Sequence, residues 1–280
     1  MLAVDSTLQQ HWEAALALEF AARDGATRLT GCRHRGPLCV QKALYPEGAA
    51  VCQTIILHPP AGIAGGDRLQ ISAALAAGTH AQITTPGAGK WYRSGGPEAS
   101  QELDFALGRD AVLEWLPQET IVYDGAFADI SWEAHLASDA RLIAWDIVCL
   151  GRTGSGERFD NGRCRIETRL VRDGRLAWLE RGQIGRGCAV SSSPAGLDGA
   201  PVLGTMIAAA PAIDDAWLAA CREVAPRRGE SAVTRLPGLI VARYRGDSTE
   251  AARMYFVELW KRLRLPIAGR EAIEPRIWRT

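Results

Sequence analysis

Apolar and polar side chains alternate with a period of two over much of the first two thirds of the chain. Between Trp12 and Phe20 the apolar residues fall on one face, and Glu13 and Glu19 fall on the other. This pattern is typical of a half-buried β-strand, because successive side chains of a strand point to opposite faces. Similar stretches bounded by Gly, Pro, Asp or Ser are predicted as strands at 51–57, 69–75, 80–85, 111–115, 130–136, 141–149 and 163–171.

Short turns join two pairs of these strands. Asp24-Gly25 follows the first strand, and Asp173-Gly174 separates strand 163–171 from a partner predicted over 176–179. Asp-Gly favours a tight hairpin because both central residues of such a turn need a positive φ. Many short strands with no helical pattern between them predict a mainly β fold and argue against a parallel α/β fold.

Helical patterns appear only in the last third of the chain. Residues 214–224 and 249–265 are predicted helices, and the apolar stretch 239–244 between them is a predicted strand. We therefore expect residues 1–200 to form a β-rich body. Residues 201–280 are expected to form a small helical (α+β) attachment packed on that body.

The ends of the second helix carry their own signals. Asp247 and Glu250 have the spacing of a capping box, which would satisfy backbone N–H groups in the first turn. Pro266 is predicted to end the helix, because proline has no N–H to donate and its ring crowds the preceding turn.

Composition excludes several classes of function. The chain has 280 residues, 47% of them hydrophobic, and its 32 Lys and Arg balance its 32 Asp and Glu. No net charge is present to attract nucleic acid or an anionic membrane, and we expect neither as a partner. No apolar run approaches the roughly 20 residues of a membrane span. The first residues carry no signal-like segment, so we expect a cytoplasmic location.

The cysteines do not indicate a disulfide framework or a standard metal site. Seven are present, an odd number without a Cys-x-x-Cys pair, which favours free thiols. Cys32, His34 and Cys39 lie within eight residues of one another. Their spacing matches no standard zinc pattern, so we interpret them as bystanders rather than ligands.

Two Gly/Pro-rich segments, 58–69 and 84–94, indicate loops with a fixed backbone path. The second resembles a phosphate-binding loop but does not match one, because Thr84 and Trp91 stand where the motif needs Gly and Ser or Thr. We predict no nucleotide site there. The run of residues that follows is instead predicted to form a loop with an aromatic anchor that contacts a partner: Lys90, Trp91, Tyr92 and Arg93.

Several carboxylates lie in apolar or loop-forming contexts. They are Asp67, Glu114, Glu119, Asp124, Asp146 and Glu180. An ionised carboxylate in an apolar strand is costly unless it is paired, hydrogen-bonded or in contact with water, so we expect some of them to line a polar interior surface. Ion pairing or turn capping is the alternative for each one. Asp146, between Trp145 and Ile147, fits that alternative least well.

Taken together, several long motifs in register resemble the urease accessory protein family UreD, called UreH in some systems. The matching segments are 58–69, 84–94, 113–120, 142–152, 156–159 and 275–278. The resemblance extends from about Trp12 to the last residues. It implies a non-enzymatic scaffold with a β-helix-like body and a small helical part. It also implies that UreF, UreG and urease apoprotein are partners in nickel insertion.

The resemblance further implies an internal passage for nickel. Residues at matching positions are Asp67, Asp146 and Glu180, with Glu119 and Asp124 less closely matched. Scattered oxygen ligands would hold Ni²⁺ weakly, whereas clustered imidazole and thiolate groups would retain it. We therefore expect Ni²⁺ in transit and no tightly bound cofactor.

Two alternatives remain from the residues alone. A β-rich glycoside hydrolase could use a pair of carboxylates among Glu114, Glu119 and Asp124. A passive interaction module could use the same carboxylates to cap loops. The chain has no nucleophile elbow and no His-Glu-x-x-His motif, so we expect no enzymatic activity.

Aromatic residues are frequent in the last third, and interfaces favour such side chains. The candidates for contact with UreF are Trp217, Tyr255, Trp260 and Trp278. The alternative is that all of them pack on the β-rich body.

Overall fold

The computed structural model describes residues 11–279; residues 1–10 and 280, which the predicted domains include, lie outside that range. The strands are β1 (Glu13–Arg23), β2 (Ala26–Arg35), β3 (Cys39–Leu44), β4 (Cys52–Leu57), β5 (Arg68–Leu75), β6 (His80–Thr84), β7 (Gly89–Trp91), β8 (Ala99–Leu107), β9 (Val112–Leu116), β10 (Thr120–Val122), β11 (Phe127–Leu136), β12 (Arg141–Leu150), β13 (Arg163–Arg172), β14 (Arg175–Gly185), β15 (Val202–Ala209), β16 (Glu230–Leu236) and β17 (Leu239–Gly246). The helices are α1 (Ala189–Ser192), α2 (Asp215–Arg222) and α3 (Thr249–Ala268), with 3-10 turns at Thr153–Ser155 and Arg276–Arg279.

The strands form two sheets wound as a solenoid. Sheet A has the order β14-β13-β11-β8-β5-β1-β2, and sheet B has the order β16-β17-β15-β12-β9-β6-β4-β3. In sheet B, the short strand β10 also pairs with β12, and β7 pairs with β10. Within sheet A, β1, β5, β8, β11 and β13 pair in parallel, and within sheet B, β4, β6, β9 and β12 do so. The chain passes from one sheet to the other in successive coils. The predicted mainly β, β-helix-like body is confirmed.

The main hydrophobic core lies between the two sheets. Leu16 and Leu18 on β1, Leu103 and Phe105 on β8, and Leu142 on β12 are buried there. Their spacing of two residues places each set on one face of its strand, which is why the alternation predicted these strands. The strands predicted between residues 12 and 171 are all present. Strand β14 is longer than the predicted stretch 176–179.

Both predicted hairpins are also present. Asp24 and Gly25 have φ of 51° and 72°, and Asp173 and Gly174 have φ of 49° and 72°. Positive φ at both central residues gives the turn a twist that matches the flanking antiparallel strands. These turns connect β1 to β2 and β13 to β14.

The last third of the chain continues sheet B and covers its outer face. Strand β15 pairs with β12 and β17, so the boundary predicted after residue 200 crosses a continuous hydrogen-bonded sheet. A second core lies between sheet B and helix α3, where Trp145 and Trp260 are buried. Helix α3 therefore adds a third layer to the solenoid, with this second core between the helix and sheet B.

Helix α3 begins at Thr249 as predicted, but the predicted capping residue and the predicted C-terminal end are wrong. Ser248, not Asp247, is the N-cap, and its hydroxyl accepts a hydrogen bond from the Ala251 N–H at 3.2 Å. Pro266 lies inside the helix, which ends where Gly269 adopts a φ of 70°. Pro266 removes a hydrogen bond only from the last turn, and the burial of Ile267 in the second core holds that turn in place.

Candidate functional site

Polar side chains from the two sheets face each other in two short rows inside the solenoid. On sheet B, Asp146 of β12 lies opposite Thr205 of β15, which lies opposite Arg243 of β17. On sheet A, Trp132 of β11 lies opposite Thr168 of β13, which lies opposite Glu180 of β14. Directly opposed residues have Cβ atoms about 5 Å apart, so each row is continuous across three strands.

Hydrogen bonds connect the two rows at both ends. At the inner end, the Trp132 indole Nε1–H donates to Asp146 Oδ2 at 2.5 Å. At the outer end, Arg243 Nη1 donates to Glu180 Oε1 at 2.5 Å. Asp146 and Glu180, far apart in the sequence, therefore belong to one polar layer between the sheets.

A central cavity of about 370 Å³ opens beside Asp146. Strand β9 ends at Leu116, and the chain leaves the sheet before β10 pairs with β12 at Thr120. The Trp145 indole N–H donates to the Pro117 carbonyl oxygen at 2.9 Å, and this hydrogen bond holds the chain in its path away from the sheet. Asp146 consequently has no strand residue beside it on that side, and its carboxylate faces the cavity.

A lateral cavity of about 460 Å³ lies on the other side of Asp146. Asp146, Val148 and Ile166 line both cavities. Glu180, Thr205 and Arg243 line the lateral cavity alone. Asp146 therefore stands at the junction of the two spaces.

The environment of Asp146 opposes its ionisation. Burial is the main cause and raises the pKa of its carboxyl to about 6, although the indoles of Trp132 and Trp115 favour the charged form. The nearby charge of Glu180 raises the pKa further. At neutral pH the carboxylate is still mainly ionised, and no Lys or Arg among the described residues neutralises it through an ion pair. A divalent cation in the cavity would supply the missing charge.

The two Gly/Pro-rich segments form one end of the central cavity. The Ile63 N–H donates to the Lys90 carbonyl oxygen at 2.7 Å, and the Tyr92 N–H donates to the Ile63 carbonyl oxygen at 2.8 Å. His58 and Lys90 line the cavity. Burial lowers the pKa of His58, so its imidazole is neutral at neutral pH.

The four predicted loop-contact residues have different environments. Lys90 lines the central cavity, whereas the Trp91 side chain is 2% exposed and packs in the main core. Tyr92 and Arg93 are exposed, and Arg93 lies 3.5 Å from Asp124. Trp91 is thus the predicted aromatic anchor of the loop, and its burial removes it from the set that could contact a partner.

Asp67, Glu119 and Asp124 do not line either cavity, contrary to the expectation that all five acidic residues face one passage. Asp67 is buried and accepts hydrogen bonds from the N–H groups of Trp12 and Ala64. Asp124 accepts from the N–H groups of residues 160 and 161. Asp67 and Asp124 therefore fix loop conformations, as the capping alternative proposed.

Glu114 holds helix α3 against sheet B. Its fully buried carboxylate accepts hydrogen bonds from Trp260 Nε1 at 2.5 Å and from Arg264 Nε at 3.0 Å, and it lies 2.6 Å from His80 Nε2. Burial opposes ionisation, but His80 and Arg264 outweigh it and lower the pKa of Glu114 to about 2. No substrate could reach this carboxylate, and Asp124 caps a loop elsewhere, so the glycoside hydrolase alternative is not supported.

Metal ligands are scattered in the part of the chain that the structure describes. Residues 11–279 contain no group of three or more His, Cys, Asp or Glu side chains that could hold a metal ion together. This includes Cys32, His34 and Cys39, and all seven cysteines are free thiols. Asp146 and Glu180 thus belong to no dense cluster of metal-ligating side chains within residues 11–279.

The aromatic residues of the last third pack mainly within the chain. Tyr255 and Trp260 are buried in the second core, which removes them as candidates for partner contact. Trp217 and Trp278 are half-buried against the same core. The Trp278 indole N–H also donates to Thr84 Oγ1 at 2.9 Å. Packing on the body, the alternative considered for these residues, accounts for most of their contacts.

Sequence reasoning missed several residues of the polar layer. Thr168 lay in a predicted strand, on the same face as Ile166, but nothing marked it as part of a site. Thr205 and Arg243 became neighbours of Asp146 only through the pairing of β15 with β12 and β17. His58 was recognised only as part of a loop segment. Local patterns could not reveal these neighbours because strand order determines them.

The fold and this site define a class of protein: a two-sheet β-solenoid whose polar site is enclosed between the sheets. A family model described as UreD urease accessory protein matches residues 13–279. The chain therefore belongs to the UreD family of urease accessory proteins, which gives it a role in urease maturation. The resemblance found from the motifs is confirmed.

Individual relatives are similar over nearly their whole length. The urease accessory protein UreD of Dechloromonas aromatica is 55% identical over 273 residues, covering 96% of this chain and 95% of the relative. That of Azoarcus sp. strain BH72 is 54% identical over 272 residues, covering 97% and 95%. That of Pseudomonas fluorescens strain Pf-5 is 51% identical over 270 residues, covering 96% and 95%. Within residues 11–279, no helix combines the length and apolar character needed to cross a membrane.

Proposed function

We propose that this chain supports urease maturation as a non-catalytic chaperone that conducts Ni²⁺ through the space between its sheets. The ion would enter the central cavity past the His58 and Lys90 loops, meet Asp146, and continue into the lateral cavity beside Glu180. In this proposal the chain acts in the cytoplasm with UreF, UreG and urease apoprotein. The single observation that carries the proposal is the position of Asp146, a half-buried carboxylate shared by two adjoining cavities.

The donor chemistry suits transit. Carboxylate oxygens bind Ni²⁺ less tightly than imidazole or thiolate groups, and Asp146 and Glu180 belong to no dense ligand cluster. A Ni²⁺ ion near Asp146 would be stabilised by the charge that the surrounding apolar side chains leave uncompensated. Weak, sequential oxygen contacts allow release, which a carrier of metal cargo requires.

Replacing Asp146 with Asn tests the proposed passage. The variant keeps the size of the side chain and an acceptor for Trp132 but removes the charge that attracts Ni²⁺. We expect nickel incorporation into urease to fall about tenfold, a factor that needs a loss of only about 1.4 kcal/mol of interaction energy. Urease activity and nickel content per urease subunit would be measured after coexpression with UreF, UreG and urease apoprotein.

Asp104→Asn is the matched control, because Asp104 is exposed on the outer face of sheet A. The control should activate urease as well as the unmodified chain. Both variants should still copurify with UreF and UreG. Wild-type nickel incorporation by the Asp146→Asn variant within an intact complex would contradict the proposal.

Trp217 is the candidate with the simplest test of partner contact. Its side chain is half-buried on α2, and we expect Trp217→Ser to weaken copurification with UreF severalfold, since aromatic side chains supply much of the binding energy at interfaces. Trp12→Ser is the control, because Trp12 is 52% exposed at the start of the β-rich body. Equal recovery of UreF with both variants would remove Trp217 from the interface.

A further inference from the structure

The lateral cavity is bounded by a charged pair that connects the two sheets at their edge. Arg243 donates to Glu180 Oε1 at 2.5 Å and to Thr205 Oγ1 at 3.4 Å. Its guanidinium lies over the Trp178 ring, 5.8 Å from the ring centroid. Arg243 thus binds one oxygen of Glu180, the second carboxylate of the polar layer after Asp146.

The pair leaves Glu180 only partly satisfied. Its Oε2 atom is buried and has no hydrogen-bond partner among the described residues. Glu180 also interacts unfavourably with Asp146. The Arg243 guanidinium therefore pairs with the outer carboxylate, Glu180, and Asp146 forms no ion pair with it.

Arg243 is the more exposed member of the pair. Its side chain is 47% exposed, whereas that of Glu180 is 24% exposed. An arginine with this exposure can turn its charged end into solvent. Turning away would free both oxygens of Glu180 and remove a positive charge from the wall of the lateral cavity.

We propose that Arg243 is an electrostatic gate that controls movement of a divalent cation from Asp146 into the lateral cavity. This inference rests on the proposed function. With Arg243 on Glu180, a cation at Asp146 meets a positive charge and an occupied carboxylate. With Arg243 turned outward, Glu180 becomes the next oxygen donor. A negatively charged group on a docked protein could favour the outward position, which would couple release of the cation to docking.

Two tryptophans report on the two sides of the gate. The Trp132 indole N–H donates to Asp146, and the Trp178 ring lies under Arg243. In the full chain labelled with ¹⁵N at the indole nitrogens, paramagnetic Ni²⁺ broadens the resonances of nearby indoles, while diamagnetic Zn²⁺ is the reference. Trp132→Phe and Trp178→Phe identify the two resonances.

In the unmodified chain we expect Ni²⁺ to reduce the Trp132 intensity at least twofold relative to Zn²⁺ and to leave Trp178 unchanged. In Arg243→Gln both resonances should lose intensity. Arg243→Lys keeps the charge and should behave like the unmodified chain. Arg235→Gln is the control, because it removes a surface ion pair with Asp215 from an edge strand of the same sheet without touching either cavity.

Several results would overturn the gate. Equal broadening of Trp178 in the unmodified chain and in Arg243→Gln would show that the cation passes without hindrance. Loss of Trp178 intensity in Arg243→Lys would show that charge is not the cause. Arg243→Met, which keeps an unbranched stem over Trp178, provides the same test if Arg243→Gln does not fold. Absence of Trp132 broadening in every protein would instead refute the passage itself, and the gate with it.

Discussion

Glu114→Gln is expected to lower the free energy of unfolding by about 3–5 kcal/mol, the range seen when one partner of a buried ion pair is removed. The Glu114 carboxylate is fully buried between sheet B and helix α3. The substitution leaves the Arg264 guanidinium, whose side chain is 0% exposed, with only Glu47 as a charged partner. The buried guanidinium would then lose one of its two carboxylate partners, together with the charge-assisted hydrogen bonds that Glu114 accepts from it.

The measurement is urea unfolding of the variant and of Glu102→Gln. Glu102 is exposed on β8, so its replacement should change stability by no more than about 0.5 kcal/mol. The triple variant Glu47→Gln, Glu114→Leu and Arg264→Met should be more stable than Glu114→Gln, because it removes all three charges of the Glu47, Arg264 and Glu114 cluster together. An unfolding midpoint for Glu114→Gln equal to that of the Glu102 control would refute this role.

The ion pair between Glu114 and Arg264 also makes the free energy of unfolding depend on pH. Because His80 and Arg264 lower the pKa of Glu114 to about 2, the folded chain binds this proton less readily than the unfolded chain does. The stabilisation is therefore fully present above the usual pKa of a glutamate and is lost as pH falls toward about 2. Glu114→Gln should lack this part of the acid sensitivity.

The sequence predicted the solenoid strands well because one face of each strand is buried. Alternation extends through β1 and β5, where buried residues occur at every second position. The same pattern is present in β8, from Leu103 to Leu107, and could have been recognised. Strand β15 has no such alternation, because its residues are buried both in the main core and against helix α3.

The candidate site was predictable only in part. Asp146 stood out because an ionisable side chain interrupts an apolar strand, and that is a local signal. Glu114 lies in a similar local context, yet Arg264, which is 150 residues away, makes it structural. Arg243 gave no local signal, since an arginine on a strand near the end of the chain is normally a surface residue. Its role depends on which strand lies beside β15.

Asp146→Asn is expected to stabilise the folded chain at neutral pH, although the same change should impair nickel delivery. Burial raises the pKa of Asp146 from 3.8 to about 6, so the folded chain binds this proton more readily than the unfolded chain does. Ionisation of Asp146 therefore costs stability as pH rises from about 4 to about 6. Below that range the aspartate is protonated in both states, and the cost disappears.

Above pH 6.5, we expect Asp146→Asn to raise the free energy of unfolding by at most about 3 kcal/mol. This is the free energy that corresponds to a pKa near 6 instead of 3.8. Urea unfolding at pH 4.5, 5.5, 6.5 and 7.5 would measure it. The difference between Asp146→Asn and the unmodified chain should grow over this series and then level off. Asp104→Asn, on the exposed outer face of sheet A, should show no such growth.

Nickel should reduce this difference in stability. Ni²⁺ bound at the ionised Asp146 favours the folded state, so adding it at pH 7.5 should raise the stability of the unmodified chain and leave Asp146→Asn unchanged. We expect Asp146→Asn to be more stable without nickel, not to be stabilised by nickel, and to deliver nickel poorly. This combination would show that the variant loses the passage and not its fold. If Asp146→Asn and the unmodified chain differed in stability by the same amount at every pH, with and without Ni²⁺, the charge of Asp146 would not be uncompensated.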